Sequence, residues 1–344
     1  MAVGQNAAAH QGNGGALAET WNGRRWKAAS PEAPPGSIGS SLSSVSCISA
    51  RSCIAVGFYF YYLPDKDTRN VAFSESWNGL AWKMTKMAQA AGSSAAPDSI
   101  SCVSARRCLA VGELYSPNRQ TAFAELWNGI TWRMTRVTEP ARSVSDFSSV
   151  SCASPKNCIA VDAYNAHALA QSWNGARWQI LKVAAPATTG PSLSAVDCRT
   201  STYCIATGGH FPNPKDHAAL VESWNGKTWK SVKVPVPGQG WGNLSGVSCT
   251  STKSCLAVGE YHFGVYIDSG KAYAESWNGK QWRLARVPTP PGAKGSGSGA
   301  ALVSVKCLTS SDCIAVGDAG PAGTPGNGFS AIWNGHRWRL IAIA

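Results

Sequence analysis

The 344-residue sequence has no apolar stretch of even about eighteen residues, which excludes a membrane-spanning helix within it. It has only six histidines, none at a recurring position, and no paired Cys-x-x-Cys, which removes the usual zinc frameworks. A nucleotide-binding glycine loop, a metalloprotease helix and a nucleophile elbow are also missing, so no cofactor, metal or ready-made catalytic motif is implied. No window sustains a helical period. Met1 to His10 offers neither a basic start nor an apolar run, so no export signal is visible there. Acidic residues are in the minority, 19 against 31 lysines and arginines, and the net charge of +12 raises the question of a nucleic-acid partner.

What is abundant is one element. Trp-Asn-Gly-x-x-Trp occurs seven times, beginning at Trp21, Trp77, Trp127, Trp173, Trp224, Trp277 and Trp333, and uses fourteen of the fifteen tryptophans. Asn-Gly tolerates the positive φ angles of tight hairpins, and each copy lies between short strand-like runs, so each marks a strand-turn-strand unit. A pair that returns at every turn suits closing and packing the unit better than it suits chemistry. Successive first tryptophans stand 56, 50, 46, 51, 53 and 56 residues apart, the period of a four-stranded propeller blade.

The twelve cysteines form six Cys-x5-Cys pairs: Cys47 and Cys53, Cys102 and Cys108, Cys152 and Cys158, Cys198 and Cys204, Cys249 and Cys255, Cys307 and Cys313. Even parity with one pair per repeat predicts local disulfides and an oxidising compartment, hence a secreted or cell-surface protein. Each bridge closes a short loop and contributes roughly 2 kcal/mol at most. Met1 to Gly4 matches Ile54 to Gly57, Leu109 to Gly112, Leu256 to Gly259 and Ile314 to Gly317, each directly after a second cysteine. The expectation is a chain that begins inside a repeat, with a cysteine-bearing strand and a signal peptide upstream.

The best-formed repeat reads as strands a (Leu42 to Cys47), b (Cys53 to about Tyr59), c (Val71 to Trp77) and d (Trp82 to about Met87). The expected fold is all-β: a seven-bladed β-propeller of four-stranded antiparallel blades, the first lacking its innermost strand. One domain spans 1–344, with blades near 1–30, 31–88, 89–138, 139–184, 185–234, 235–290 and 291–344. A β-solenoid is the rival, but its coils are usually shorter and hairpins do not build them. Small residues such as Ser44-Val45-Ser46 suit a crowded innermost strand. Antiparallel order places the a–b and c–d connections at one end, near-identical in every blade and structural. The variable b–c and d–a connections lie at the other, where function on a repeat scaffold usually resides. Lys27, Lys83, Arg133, Lys230, Arg283 and Arg339 directly follow the second motif tryptophan, on an outermost strand where cations block edge pairing. That rim is a solvated surface, so no nucleic-acid partner is expected, and the chain reads as a monomer.

The pattern Ser-Cys-x5-Cys-x-Ala-Val-Gly followed by Ala-x-x-Glu-x-Trp-Asn-Gly-x-x-Trp resembles a family of secreted repeat proteins of actinobacteria and related soil bacteria. The likeness runs from Met1 to Trp338 and implies an exported, propeller-like protein. Gly-x-x-Trp, as in Gly129 to Trp132, also resembles the end of the Asp-box hairpin of sialidase-type propellers, with a tryptophan where the aspartate would stand.

Glu19, Glu75, Glu125, Glu222 and Glu275 stand two residues before the first motif tryptophan, with Gln171 and Ala331 in the other repeats. Five copies spread over the blades cannot serve one active site, and they read as acceptors of backbone hydrogen bonds between blades. Glu113, Glu260 and Asp318 follow the strand-b glycine, and Asp162 replaces it, which directs all four towards the variable end. Tyr59, Tyr164, His210, Tyr261 and His262 stand beside them, and Trp241, the one tryptophan outside the motif, lies among glycines in a d–a connection. Acids and aromatics at a channel mouth suit a sugar, cation or basic peptide. The favoured function is therefore non-catalytic binding of a glycan or protein at the cell surface through Trp241, Tyr261, His262, Glu260, Tyr59, Tyr164 and His210. The alternatives are a carbohydrate-active hydrolase or lyase using Glu113, Asp162, Glu260 and Asp318, and a purely structural scaffold.

Overall fold

The computed structural model describes residues 1–6, 14–32, 34–63, 68–89, 93–116, 119–139, 146–164, 167–185, 189–213, 216–235, 240–263, 270–294, 297–321 and 326–341. They form a seven-bladed β-propeller: six four-stranded antiparallel sheets in the order a-b-c-d and one of three strands in the order b-c-d. Blade 1 comprises Ala2–Asn6, Gly15–Trp21 and Trp26–Ala28, in the positions of b, c and d. In blade 2 the strands are Gly39–Ser49, Ser52–Tyr62, Thr68–Trp77 and Trp82–Lys86, so b and c run beyond their expected ends. One short 3-10 helix, Pro291–Ala293, precedes blade 7. The described residues divide into two compact units, one within Met1–Ala160 and Gln171–Ile180 and the other within Val161–Ala170 and Leu181–Ile343; each is described separately.

All six expected disulfides form, and in blades 2, 3, 5, 6 and 7 the two cysteines face each other directly across the a–b ladder. The motif tryptophans are likewise cross-strand partners, with ring centroids 5.3–5.7 Å apart in every blade. Asn and Gly divide the work of the turn between them. Gly79 takes φ 98° and its six counterparts 89–97°, while the Asn78 Oδ1 accepts from the amides of Leu80 (2.8 Å) and Ala81 (2.9 Å). The first indole ties its own blade together: the Trp77 Nε1–H donates to the Ala50 carbonyl of the a–b turn (3.3 Å), and Trp127 reaches Ala105 the same way (3.1 Å). In blades 3 and 4 the second indole reaches the preceding blade, the Trp132 Nε1–H donating to Ser74 Oγ (2.8 Å) and the Trp178 Nε1–H to Thr135 Oγ1 (3.0 Å), whereas the Nε1 atoms of Trp229, Trp282 and Trp338 are buried without a partner.

The core lies between successive sheets. Ile54, Val56 and Ala72 of blade 2 pack against Ile100, Ala110, Phe123 and Trp132 of blade 3, and blade 5 packs on blade 6 through Ile205, Val221, Leu244 and Tyr273. Alanines on strands b and c, such as Ala55, Ala110, Ala124, Ala257 and Ala274, are fully buried and let the sheets approach closely.

Innermost strands are linked by a side-chain device that uses the residue before the first cysteine. Ser46 Oγ accepts from the Cys102 amide (3.0 Å) and Ser101 Oγ from Cys152 (3.0 Å) in one unit; in the other, Asp197 Oδ2 accepts from Cys249 (2.8 Å) and Ser248 Oγ from Cys307 (3.1 Å). Ser101→Ala strands the Cys152 amide and is expected to cost about 1 kcal/mol in urea unfolding, with an unchanged slope. No loss would show that water replaces the hydroxyl.

The carboxylates two residues before the first tryptophan are buried, as expected for structural groups. Glu125 Oε2 accepts the amide of Ala88 from the preceding blade (2.9 Å), and Gln171 donates to the Thr138 carbonyl (2.9 Å). Glu222 instead accepts from Ser231 of its own blade. Neither oxygen of Glu275 has a partner.

Candidate functional site

The strand-b glycine sorts the residues that follow it. A Cβ at Gly57, Gly112, Gly208, Gly259 or Gly317 would stand 1.9–2.2 Å from a carbonyl oxygen of strand a, so only glycine lets the two backbones approach. Strand a shifts register at this level, between Leu42 and Ser44, Pro97 and Ser99, Leu193 and Ala195, Leu244 and Gly246, and Leu302 and Ser304. Blade 4, which carries Asp162 in place of the glycine, is the blade whose strand a is short, Ser149–Ser154. Asp162 is buried.

Two residues beyond the glycine, the side chain turns into the core. Tyr59 meets Phe73 edge-on at 5.8 Å and Tyr261 meets Tyr273 edge-on at 5.6 Å, and Leu114 and Ala319 pack at the same position. Burial raises both phenols, so Tyr59 and Tyr261 belong first to blade packing. Tyr164 occupies this position too, but its side chain lies outside the described residues. His210, the blade 5 counterpart, hydrogen-bonds the Ala218 backbone; burial lowers its pKa, and its Nδ1 is buried without a partner.

Residues one and three beyond the glycine share the opposite pleat, and there blades 5 and 6 build a cluster. Trp241 was expected in a loop, but it lies within strand a (Gly240–Ser251), because the ladder continues outward and pairs it with His262; Asn243 pairs with Glu260. Glu260 Oε2 stands 3.4 Å from His262 Nε2. From blade 5, Phe211 lies 4.6 Å from the His217 ring, and both present edges to Trp241, at 6.2 and 6.0 Å. Gly209 leaves room here, since a Cβ would fall 2.6 Å from His217 Nε2 and 2.9 Å from Asn243 Oδ1. Burial, and then the neighbouring His210 and His262, hold the His217 pKa below its ordinary value, so at neutral pH His217 is an uncharged imidazole. His262 Nδ1 is also buried without a partner. The sequence reading missed Phe211, His217 and Asn243. The signal was the period of two from the glycine, which pairs Gly209 with Phe211 and Glu260 with His262.

Glu113 of blade 3 anchors a separate polar group, accepting from Tyr115 Oη (2.6 Å) and Gln120 Nε2 (2.9 Å). Asp98 sits at the register shift of strand a and Asp146 lies nearby. Crowding by protein, with the Glu113 and Asp146 carboxylates adding to it, raises the Asp98 carboxyl even though its side chain still reaches solvent. Burial and Glu113 raise Asp146 as well. Asp318 is exposed at the b–c end of blade 7. Of the four acids considered for catalysis, Glu113 therefore faces carboxylates and Glu260 an imidazole. Among the described residues no group of three or more His, Cys, Asp or Glu is arranged to hold a metal ion, and no helix is long and apolar enough to cross a membrane.

No protein-family model matches the chain, and no curated protein matches it. Solved structures do. A protein of unknown function from Dyadobacter fermentans DSM 18053 aligns at 11% identity over 95% of this chain and 86% of its own, with a TM-score of 0.51, a likeness of fold alone. YCF48 bound to D1 peptide aligns at 14% identity over 70% of this chain, with a TM-score of 0.42; the chain spans 65% of it. Penicillium chrysogenum alpha-L-arabinanase complexed with arabinobiose gives 14% identity, 68% and 77% coverage and a TM-score of 0.42. At these scores the last two carry no functional argument.

Proposed function

We propose that this is an exported, non-catalytic binding propeller that recognises an uncharged carbohydrate on the outward pleat of blades 5 and 6. The observation that supports this reading is the convergence of Trp241, Phe211 and His217 from two blades beside Asn243, Glu260 and His262. Indole and phenyl faces offer apolar area for the C–H face of a sugar ring, while amide, carboxylate and neutral imidazole supply donors and acceptors for its hydroxyls. Among the described residues the set holds no lysine or arginine to favour an acidic ligand. Six disulfides suit an oxidising compartment, where glycans are the abundant polymers.

The test is a neutral-glycan array with the oxidised protein, run beside a degradation screen on the same sugars. Binding without degradation is expected, and Trp241→Ala should weaken it by about 2 kcal/mol or more, roughly thirtyfold. Full affinity in that variant overturns the site. Degradation would instead favour the hydrolase reading, for which the raised Asp98 and Asp146 carboxyls facing Glu113 are the specific support. A protein ligand on the same pleat is the remaining alternative if no glycan binds.

A further inference from the structure

The disulfide end of blades 5 to 7, which the sequence reading set aside as structural, carries a row of exposed cations on its turns. The turns of this end carry Arg199, Lys227, Lys253, Lys280 and Arg337, all exposed, and Lys306 stands exposed beside Cys307. Exposed Asp312 is the acid on those turns; the Asp197 carboxylate accepts from the Cys249 amide and also faces Lys306 and Arg199, and the exposed Asp318 lies at the other end.

These cations are held on rigid supports. Lys280 and Arg337 sit in turns whose amides donate to Asn278 Oδ1 (3.0 Å) and Asn334 Oδ1 (2.9 Å). The stem of Lys253 lies over Gly279, where a Cβ would come within 3.0 Å of its Cγ, so the glycine seats the stem of a residue that is exposed. Between blades 6 and 7 a cleft of about 500 Å³ opens at this end, and Lys253, His336, Ser276, Ser310, Ser311 and Trp277 are among the residues that line it. A stem seated in advance, as at Lys253, loses less conformational freedom when an anion arrives.

We infer that this end of blades 5 to 7 binds an acidic polysaccharide, its sulfate, phosphate or carboxylate groups meeting Lys253, Lys280 and Arg337 and a sugar ring entering the cleft against Trp277. Hydroxyls and an indole beside the cations suit a sugar chain, and the disulfides place the surface where such polymers occur rather than nucleic acid. The inference is independent of the neutral-glycan reading, because it uses other residues at the opposite end of the same blades.

The experiment titrates the oxidised protein with dextran sulfate and with polygalacturonate, using plain dextran as the uncharged probe and single-stranded DNA as the competing polyanion, at several salt concentrations. The Lys253→Ala, Lys280→Ala, Arg337→Ala triple variant is compared with the charge-matched triple Arg69→Ala, Arg119→Ala, Lys294→Ala. The expected result is binding of one or both acidic polysaccharides but not dextran, with the logarithmic salt slope falling by about three in the first triple and unchanged in the second. Equal losses in both triples would reduce the effect to net charge and overturn the site. Tighter binding of DNA would overturn the partner class, and binding to neither polysaccharide would overturn the inference. Circular dichroism of both triples separates loss of binding from loss of fold.

Discussion

Gly259→Ala is expected to lower the unfolding free energy by about 3 kcal/mol or more, because the added Cβ would stand 1.9 Å from the Asn243 carbonyl oxygen and 2.9 Å from Leu244 Cα. Both obstacles are backbone, so no rotamer change relieves them. Strand a must move, and with it the level at which Asn243 and Glu260 pair. The internal comparison is Gly4, which holds the same motif position in blade 1 and has nothing within 4 Å of where its Cβ would lie. Gly4→Ala should change stability by less than about 0.5 kcal/mol. Denaturant unfolding of the two variants checks this, and equal small effects would mean that strand a yields easily.

The second large effect is a loss of stability on raising the pH. Burial pushes the carboxyls of Glu75 and Glu125 up to about 7 and that of Glu275 to about 8, from an ordinary value of 4.5. The folded protein therefore holds these protons more tightly than the unfolded chain does. Their stabilising contribution is complete below about pH 4.5 and is lost as pH rises through 7 to 8, at no more than about 1.4 kcal/mol per pH unit for each group. Thermal unfolding should accordingly occur at a higher temperature near pH 5 than near pH 8.5. Glu275→Gln should flatten the profile and stabilise the protein on the alkaline side, since both Glu275 oxygens are buried without partners. Blade 4 already accommodates the amide at this position, where Gln171 donates to Thr138. A variant destabilised equally at both pH values would show that Glu275 is charged and paired.

Much of the fold is written in local patterns. Cys-x5-Cys places two cysteines opposite each other across a hairpin, and Trp-Asn-Gly-x-x-Trp does the same for two indoles, so both follow from spacing. The role of the residue before the first cysteine does not, because Ser101 and its partner Cys152 are joined only once two blades pack. The site shows the same division. Trp241, His210, Glu260 and His262 are recognisable as unusual residues, but assigning Trp241 to a loop hid its pairing with His262, and His217 joins them only through blade packing. Grouping Tyr59 and Tyr261 with the acids overlooked the pleat, which turns them to the core instead.

Every disulfide spans a sequence separation of six and stays within one hairpin. A hairpin forms in microseconds, far faster than thiols oxidise, so each cysteine meets its proper partner before any distant one, and correct pairing needs no long-range search. The crosslink also travels with its blade. A blade gained or lost takes both of its cysteines with it, leaves no unmatched thiol behind, and so permits the number of blades to change without chemical penalty.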